Sequence, residues 1–62
     1  MSDGYRDGLY AGMEQARAGK NHPTVPPGAF AKSLVSNKYR NMYMKGLKDG
    51  FRKGQTEKRR SL

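Results

Sequence analysis

The chain has no cysteine, only five acidic residues against thirteen lysines and arginines, and no apolar run longer than a few residues. Without cysteine there is no disulfide framework, no thiolate metal site and no thiol nucleophile, a pattern that fits a reducing compartment, and a cytoplasmic location is expected. Without a long apolar run no membrane-spanning helix is expected. The opening MSDGYRDG has neither the basic start nor the apolar stretch of a secretory signal, so none is expected. The hydrophobic share of 34% in 62 residues allows at most one small domain with a small core, so a partner or self-association is expected.

The shortage of acid leaves a net charge of +8 and a sequence pI of about 10.2, which points to an anionic partner: nucleic acid, an anionic membrane surface or an acidic protein. The excess lies in one half. Residues 1–31 balance Arg6, Arg17 and Lys20 against Asp3, Asp7 and Glu14, whereas residues 32–62 carry ten cations against Asp49 and Glu57.

The apolar residues are periodic, and the fold expected from them is all-α: two main amphipathic helices joined by a proline-rich linker, with a short third helix. The first helix is expected over about 3–18, capped by Ser2 or Asp3, with Asp3 and Asp7 where the helix dipole favours negative charge. Gly19 suits a left-handed C-terminal cap. A linker over 19–28 contains three prolines, and a short helix over about 29–35 places Phe30 and Leu34 one turn apart. Ser36 or Asn37 can cap a last helix over about 38–54. Residues 1–54 then form one small helical domain, and the polar, charged residues 55–62 are expected to form a flexible basic tail.

Both main helices carry glycine at four-residue spacing. In YMKGLKDGFRKG the glycines are Gly46, Gly50 and Gly54, and YRDGLYAGMEQA repeats the arrangement 38 residues earlier. Tyr5 matches Tyr43, Gly8 matches Gly46, Leu9 matches Leu47, Gly12 matches Gly50, Met13 matches Phe51 and Ala16 matches Gly54. Each interior glycine costs ~1 kcal/mol of helix stability relative to alanine, so the pattern needs a compensating gain. Helical geometry supplies one: Tyr39, Met42, Tyr43, Gly46, Leu47, Gly50, Phe51 and Gly54 share one face, and Tyr5, Gly8, Leu9, Gly12, Met13 and Ala16 share another. Small residues at this spacing let two helix backbones approach closely. The partner of each seam is either the other helix, in an antiparallel hairpin, or the equivalent helix of a second chain in a homodimer.

Diametrically opposite the last helix's apolar face lie Lys38, Asn41, Lys45, Lys48 and Arg52, with Arg40 and Lys53 flanking them and Lys58, Arg59 and Arg60 beyond. Such a stripe suits a phosphate backbone, where neutralised phosphates release counterions. Tyr10 and Met44 fall off both core faces. Nothing points to an enzyme. His22 is the sole histidine and stands in the linker without a second ligand, so no metal and no cofactor is expected. The carboxylates are helix-surface residues, and GLYAG and GLKDG lack the spacing and preceding strand of a phosphate loop.

GMEQARAGK, Gly12 to Lys20, followed by Pro23, resembles the first-helix end of the ribosome modulation factor family, small basic bacterial proteins with glycine, an aromatic, then alanine-glycine-basic before a proline. YMKGLKDG, Tyr43 to Gly50, resembles that family's second-helix block. Met13 stands where the family has an aromatic, and Tyr43 and Leu47 stand where it tends to have tryptophans. The resemblance implies an all-helical protein that binds ribosomal RNA on the small subunit near the messenger path and promotes ribosome dimerisation in resting cells. Two alternatives come from the residues themselves: a small regulatory protein, phage-borne or host, that presents the basic helix to an acidic protein and inhibits it, and an amphipathic membrane-surface peptide, disfavoured because glycines dilute the apolar face.

Overall fold

The computed structural model describes residues 3–29 and 36–60. Helix α1 spans Asp3–Arg17 and helix α2 spans Asn37–Arg60, and the two pack against each other along their length. Among the described residues there is no strand. Of the expected short helix over 29–35, Ala29 belongs to a turn and the remainder, with Phe30 and Leu34, lies outside the described residues, as does Ser2.

Both interior helix ends are closed by local chemistry. At the end of α1, Gly19 adopts φ 84°, a conformation that glycine enters without the Cβ penalty. Its N–H donates to the Ala16 carbonyl at 3.1 Å and the Lys20 N–H reaches back to the Gln15 carbonyl at 3.2 Å, the paired bonds of a Schellman motif. At the start of α2 the Ser36 Oγ accepts the Tyr39 N–H at 3.1 Å, an N-cap that satisfies one of the helix's orphan donors.

The helices run parallel, not antiparallel. Gly4 lies against Tyr39, Gly8 against Tyr43 and Leu47, Gly12 against Leu47 and Phe51, and Gly54 against Ala16 and Met13. Residues 18–36 make this possible: α1 is only about 22 Å long at 1.5 Å per residue, so a connector of that length returns to its starting end with chain to spare. The cost of aligning two helix dipoles is small and falls on the termini. It is outweighed by a seam in which the 38-residue repeat meets itself.

That seam has an internal pseudo-two-fold. A methyl group on Gly8 would collide with the Tyr43 carbonyl oxygen and lie 2.8 Å from the Leu47 nitrogen; one on Gly46 would collide with the Tyr5 carbonyl oxygen and lie 2.9 Å from the Leu9 nitrogen. Gly12 meets the Leu47 carbonyl oxygen as Gly50 meets that of Leu9. In these two pairs each glycine faces the counterparts of the residues that face its own counterpart. Ala16, Tyr43, Leu47 and Phe51 form the buried apolar core around these contacts.

α2 continues through Arg60, so residues 55–60, expected as a flexible tail, are helical. Gln, Glu, Lys and Arg are good helix formers, and Gly54 is a packing residue under Ala16 where a helix stop was expected. The Thr56 hydroxyl donates to the Arg52 carbonyl at 3.0 Å, and Arg17 at the end of α1 pairs with Glu57 at 3.3 Å.

Candidate nucleic-acid interface

Packing the glycine face of α2 against α1 turns the opposite face outward. Lys38, Arg40, Asn41, Lys45, Lys48, Arg52, Lys53, Gln55, Lys58 and Arg59 are all exposed. Arg60 continues the same helix, although its side chain lies outside the description. Lys38, Lys45, Arg52 and Arg59 stand seven residues apart, roughly 10.5 Å along the axis from one to the next, with Lys48 between the second and third.

The acids of α2 do not interrupt this line, because both are used against α1. Asp49 accepts the Tyr5 hydroxyl at 2.7 Å, and Glu57 takes the Arg17 guanidinium. Across the seam Asp7 accepts the Tyr39 hydroxyl, also at 2.7 Å. These two tyrosine–aspartate bonds obey the pseudo-two-fold with a displacement of one turn: Tyr39 and Asp7 each stand four residues before the counterparts of Tyr5 and Asp49. The Asp7 carboxylate, which the neutral phenol hydrogen-bonds, together with burial and the same negative charge, pushes the Tyr39 pKa up to about 12. Tyr5 is raised chiefly by its bond to Asp49, and Tyr43 chiefly by burial. All three are neutral near neutral pH, and Tyr5 and Tyr39 donate.

The outer side of α1 is different in kind. It mixes Asp3, Arg6, Glu14 and Arg17, with Arg6 bridged to Asp3 at 3.4 Å. Tyr10, which falls off the packing face, is 63% exposed, and Met44 on α2 is 37% exposed.

The expected seam residues are brought together. Gly8, Gly12, Ala16, Tyr43, Gly46, Leu47, Gly50, Phe51 and Gly54 are buried, while Tyr5, Leu9, Met13 and Tyr39 remain partly exposed at its edges. Gly4 belongs to the seam too, four residues before Gly8 in the same stripe, where a methyl group would lie 2.7 Å from the Tyr39 carbonyl oxygen. The periodicity that identifies Gly8 and Gly12 extends to it. Sequence reasoning also missed Gln15, which is 8% exposed and holds the connector by two bonds. Its Nε2 donates to the Thr24 carbonyl at 2.6 Å and its Oε1 accepts the Thr24 N–H at 2.9 Å. No local signal marks it, since the pairing depends on where the connector folds back.

Among the described residues no three of His, Asp and Glu converge to hold a metal ion, and no helix is long and apolar enough to cross a membrane. No protein-family model, no curated protein sequence and no solved structure matches the chain.

Proposed function

We propose that the chain is a small non-enzymatic RNA-binding protein of the cytoplasm that acts on ribosomal RNA in the manner of ribosome modulation factor, as a regulator of translation or hibernation. One observation carries the reading: the outward face of α2 presents Lys38, Lys45, Lys48, Arg52 and Arg59 in line, with both acids of that helix drawn toward α1. A rigid row of cations on a helix suits a phosphate backbone, and it holds position without needing base contacts. Arg40, Lys53 and Lys58 widen the row. The resemblance of Gly12 to Lys20 and of Tyr43 to Gly50 to that family supports a ribosomal target. No second copy is required, because the glycine seam is filled within the chain.

The test is a pull-down from bacterial lysate at low and high salt, with and without nuclease, alongside direct binding to purified small subunits. Co-sedimentation with small subunits that is lost on nuclease treatment is expected. If four phosphates are neutralised on single-stranded RNA, log K should fall against log salt with a slope of roughly −3. The Lys45→Glu, Lys48→Glu variant should keep its helicity and flatten that slope by more than about 1. A single protein captured equally well after nuclease would replace this reading with an acidic protein target.

A further inference from the structure

A pair of helices has two flanking grooves, and the pseudo-two-fold relates them. One is walled by Ala11, Glu14 and Gln15 of α1 and by Ala18 just beyond its end. Moving each by the 38-residue repeat gives Asp49, Arg52, Lys53 and Thr56, the residues that wall the other. The two walls are counterparts in the repeat, furnished differently.

The first groove is occupied. The connector lies in it, with Lys20, Thr24, Pro26 and Pro27 completing its lining, and Gln15 grips the Thr24 backbone through both polar groups of its amide. What remains there is a cavity of about 290 Å³. The second groove holds about 570 Å³, and no described connector residue lines it. Burial follows the same division. Tyr43, Leu47 and Phe51 are 5%, 1% and 5% exposed, whereas their counterparts Tyr5, Leu9 and Met13 are all partly exposed. Tyr5 and Leu9 form the floor of the open groove.

The geometry points to this open groove as a docking site for an extended acidic peptide segment of a partner protein, seated as the connector is seated in its twin. Shape comes from the twin: the same walls already hold a proline-containing segment that is neither helix nor strand. Charge comes from the substitutions between the twins. Glu14 shares the filled groove with Lys20 of the connector. Arg52 stands where Glu14 does, so the occupant of the open groove carries an acid where the connector carries Lys20. Lys53 stands where Gln15 does, and its ammonium donates to a backbone carbonyl oxygen of the occupant. The connector of a second copy is excluded by the same logic, since its Lys20 would face Arg52. A phosphate chain, charged at every residue, is disfavoured by the apolar floor of Tyr5 and Leu9. The proposal concerns the groove beside the outward row of cations and shares Arg52 and Lys53 with the residues assigned to RNA; peptides that carry no phosphate test it separately from the RNA reading.

Two synthetic peptides test it by amide chemical-shift titration of the intact protein: Gly-Lys-Asn-His-Pro-Thr-Val-Pro-Pro, copied from residues 19–27, and the same peptide with glutamate in place of lysine. The glutamate peptide should bind about tenfold more tightly, the sum of a repulsion removed and an attraction gained, and should move the amides of Leu9, Asp49, Lys53 and Thr56. The Arg52→Glu, Lys53→Gln variant gives those two positions the residues of the filled groove, and should reverse the preference while retaining helicity. Equal affinities, no binding at millimolar peptide, or shifts confined to the Lys45 and Lys48 face would overturn the proposal. So would a uridine oligonucleotide that moves the groove amides when neither peptide does, which would assign the groove to RNA. The wild-type comparison of the two peptides decides the matter even if the variant unfolds.

Discussion

The two helices are alike where they touch and unlike where they do not. Their contact faces follow one pattern, displaced by 38 residues, down to the carbonyl oxygens that Gly8 and Gly12 and their counterparts Gly46 and Gly50 meet. Their outer faces share nothing: α1 mixes both signs of charge, and α2 is lined with cations. Close backbone approach tolerates only small residues on the inside, so that pattern is held by sterics. The outside is free of that demand, and its divergence is where a binding role for one helix can be sought.

The sharpest break of the comparison is to fill the seam from either side. Gly12→Leu and Gly50→Leu are counterparts, and each would drive a large side chain into the partner's backbone, beside Leu47 in one case and Leu9 in the other. Both changes raise intrinsic helix propensity by about 0.8 kcal/mol, so any loss must come from the interface. Each should cost at least about 3 kcal/mol in urea or thermal unfolding, enough to unfold a domain of this size. If one position accepts leucine with the fold intact, the pseudo-two-fold does not describe the energetics.

A smaller perturbation sharpens the contrast between the two grooves. Gln15 and Lys53 are counterparts, but Gln15 is buried with two bonds to the connector and Lys53 is exposed. Gln15→Ala should cost about 1–3 kcal/mol, because it leaves the Thr24 N–H and carbonyl without their partner. Lys53→Ala should change stability by no more than about 0.5 kcal/mol. The urea midpoints of the two variants measure the difference, and equal midpoints would mean that the clamp does not hold the connector.

How far the sequence showed all this depends on whether a feature is local. The glycine faces, the Gly19 and Ser36 caps and the exposure of Tyr10 follow from helical period and backbone chemistry, and the structure contains them. Helix direction was not legible, since small residues at four-residue spacing read the same either way along the axis and the connector is long enough for either path. Residues 55–60 read as a tail because they are polar and charged and lie beyond the last seam position, Gly54. The Arg17–Glu57 pair and the approach of Ala16 to Gly54 are tertiary contacts that no local pattern announces. Gln15 was illegible for the same reason. The outward cations were legible as a stripe, and the structure adds that Asp49 and Glu57 are turned away from it.

The smallest expected effect tests the rim of the seam. Tyr39 and Tyr5 donate to aspartates on opposite helices, and Tyr39 is held neutral up to about pH 12 by Asp7. A phenol whose pKa is higher folded than unfolded stabilises the fold fully below the unfolded value, near 10, and loses that contribution as pH rises through the folded value. Stability should therefore decline between about pH 10 and 12, as the unfolded chain releases a proton that folded Tyr39 retains. Tyr39→Phe removes the hydrogen bond and should cost only about 0.5–1 kcal/mol at neutral pH. Its decline across the alkaline window should be shallower than that of the wild type, with Tyr5 and Tyr43, both also raised, supplying what remains. Unfolding curves at stepped alkaline pH, with tyrosinate absorbance followed in parallel, separate the two. Identical declines in variant and wild type would show that the Tyr39–Asp7 bond does not govern alkaline stability, leaving the loss to the other two tyrosines and to lysine deprotonation.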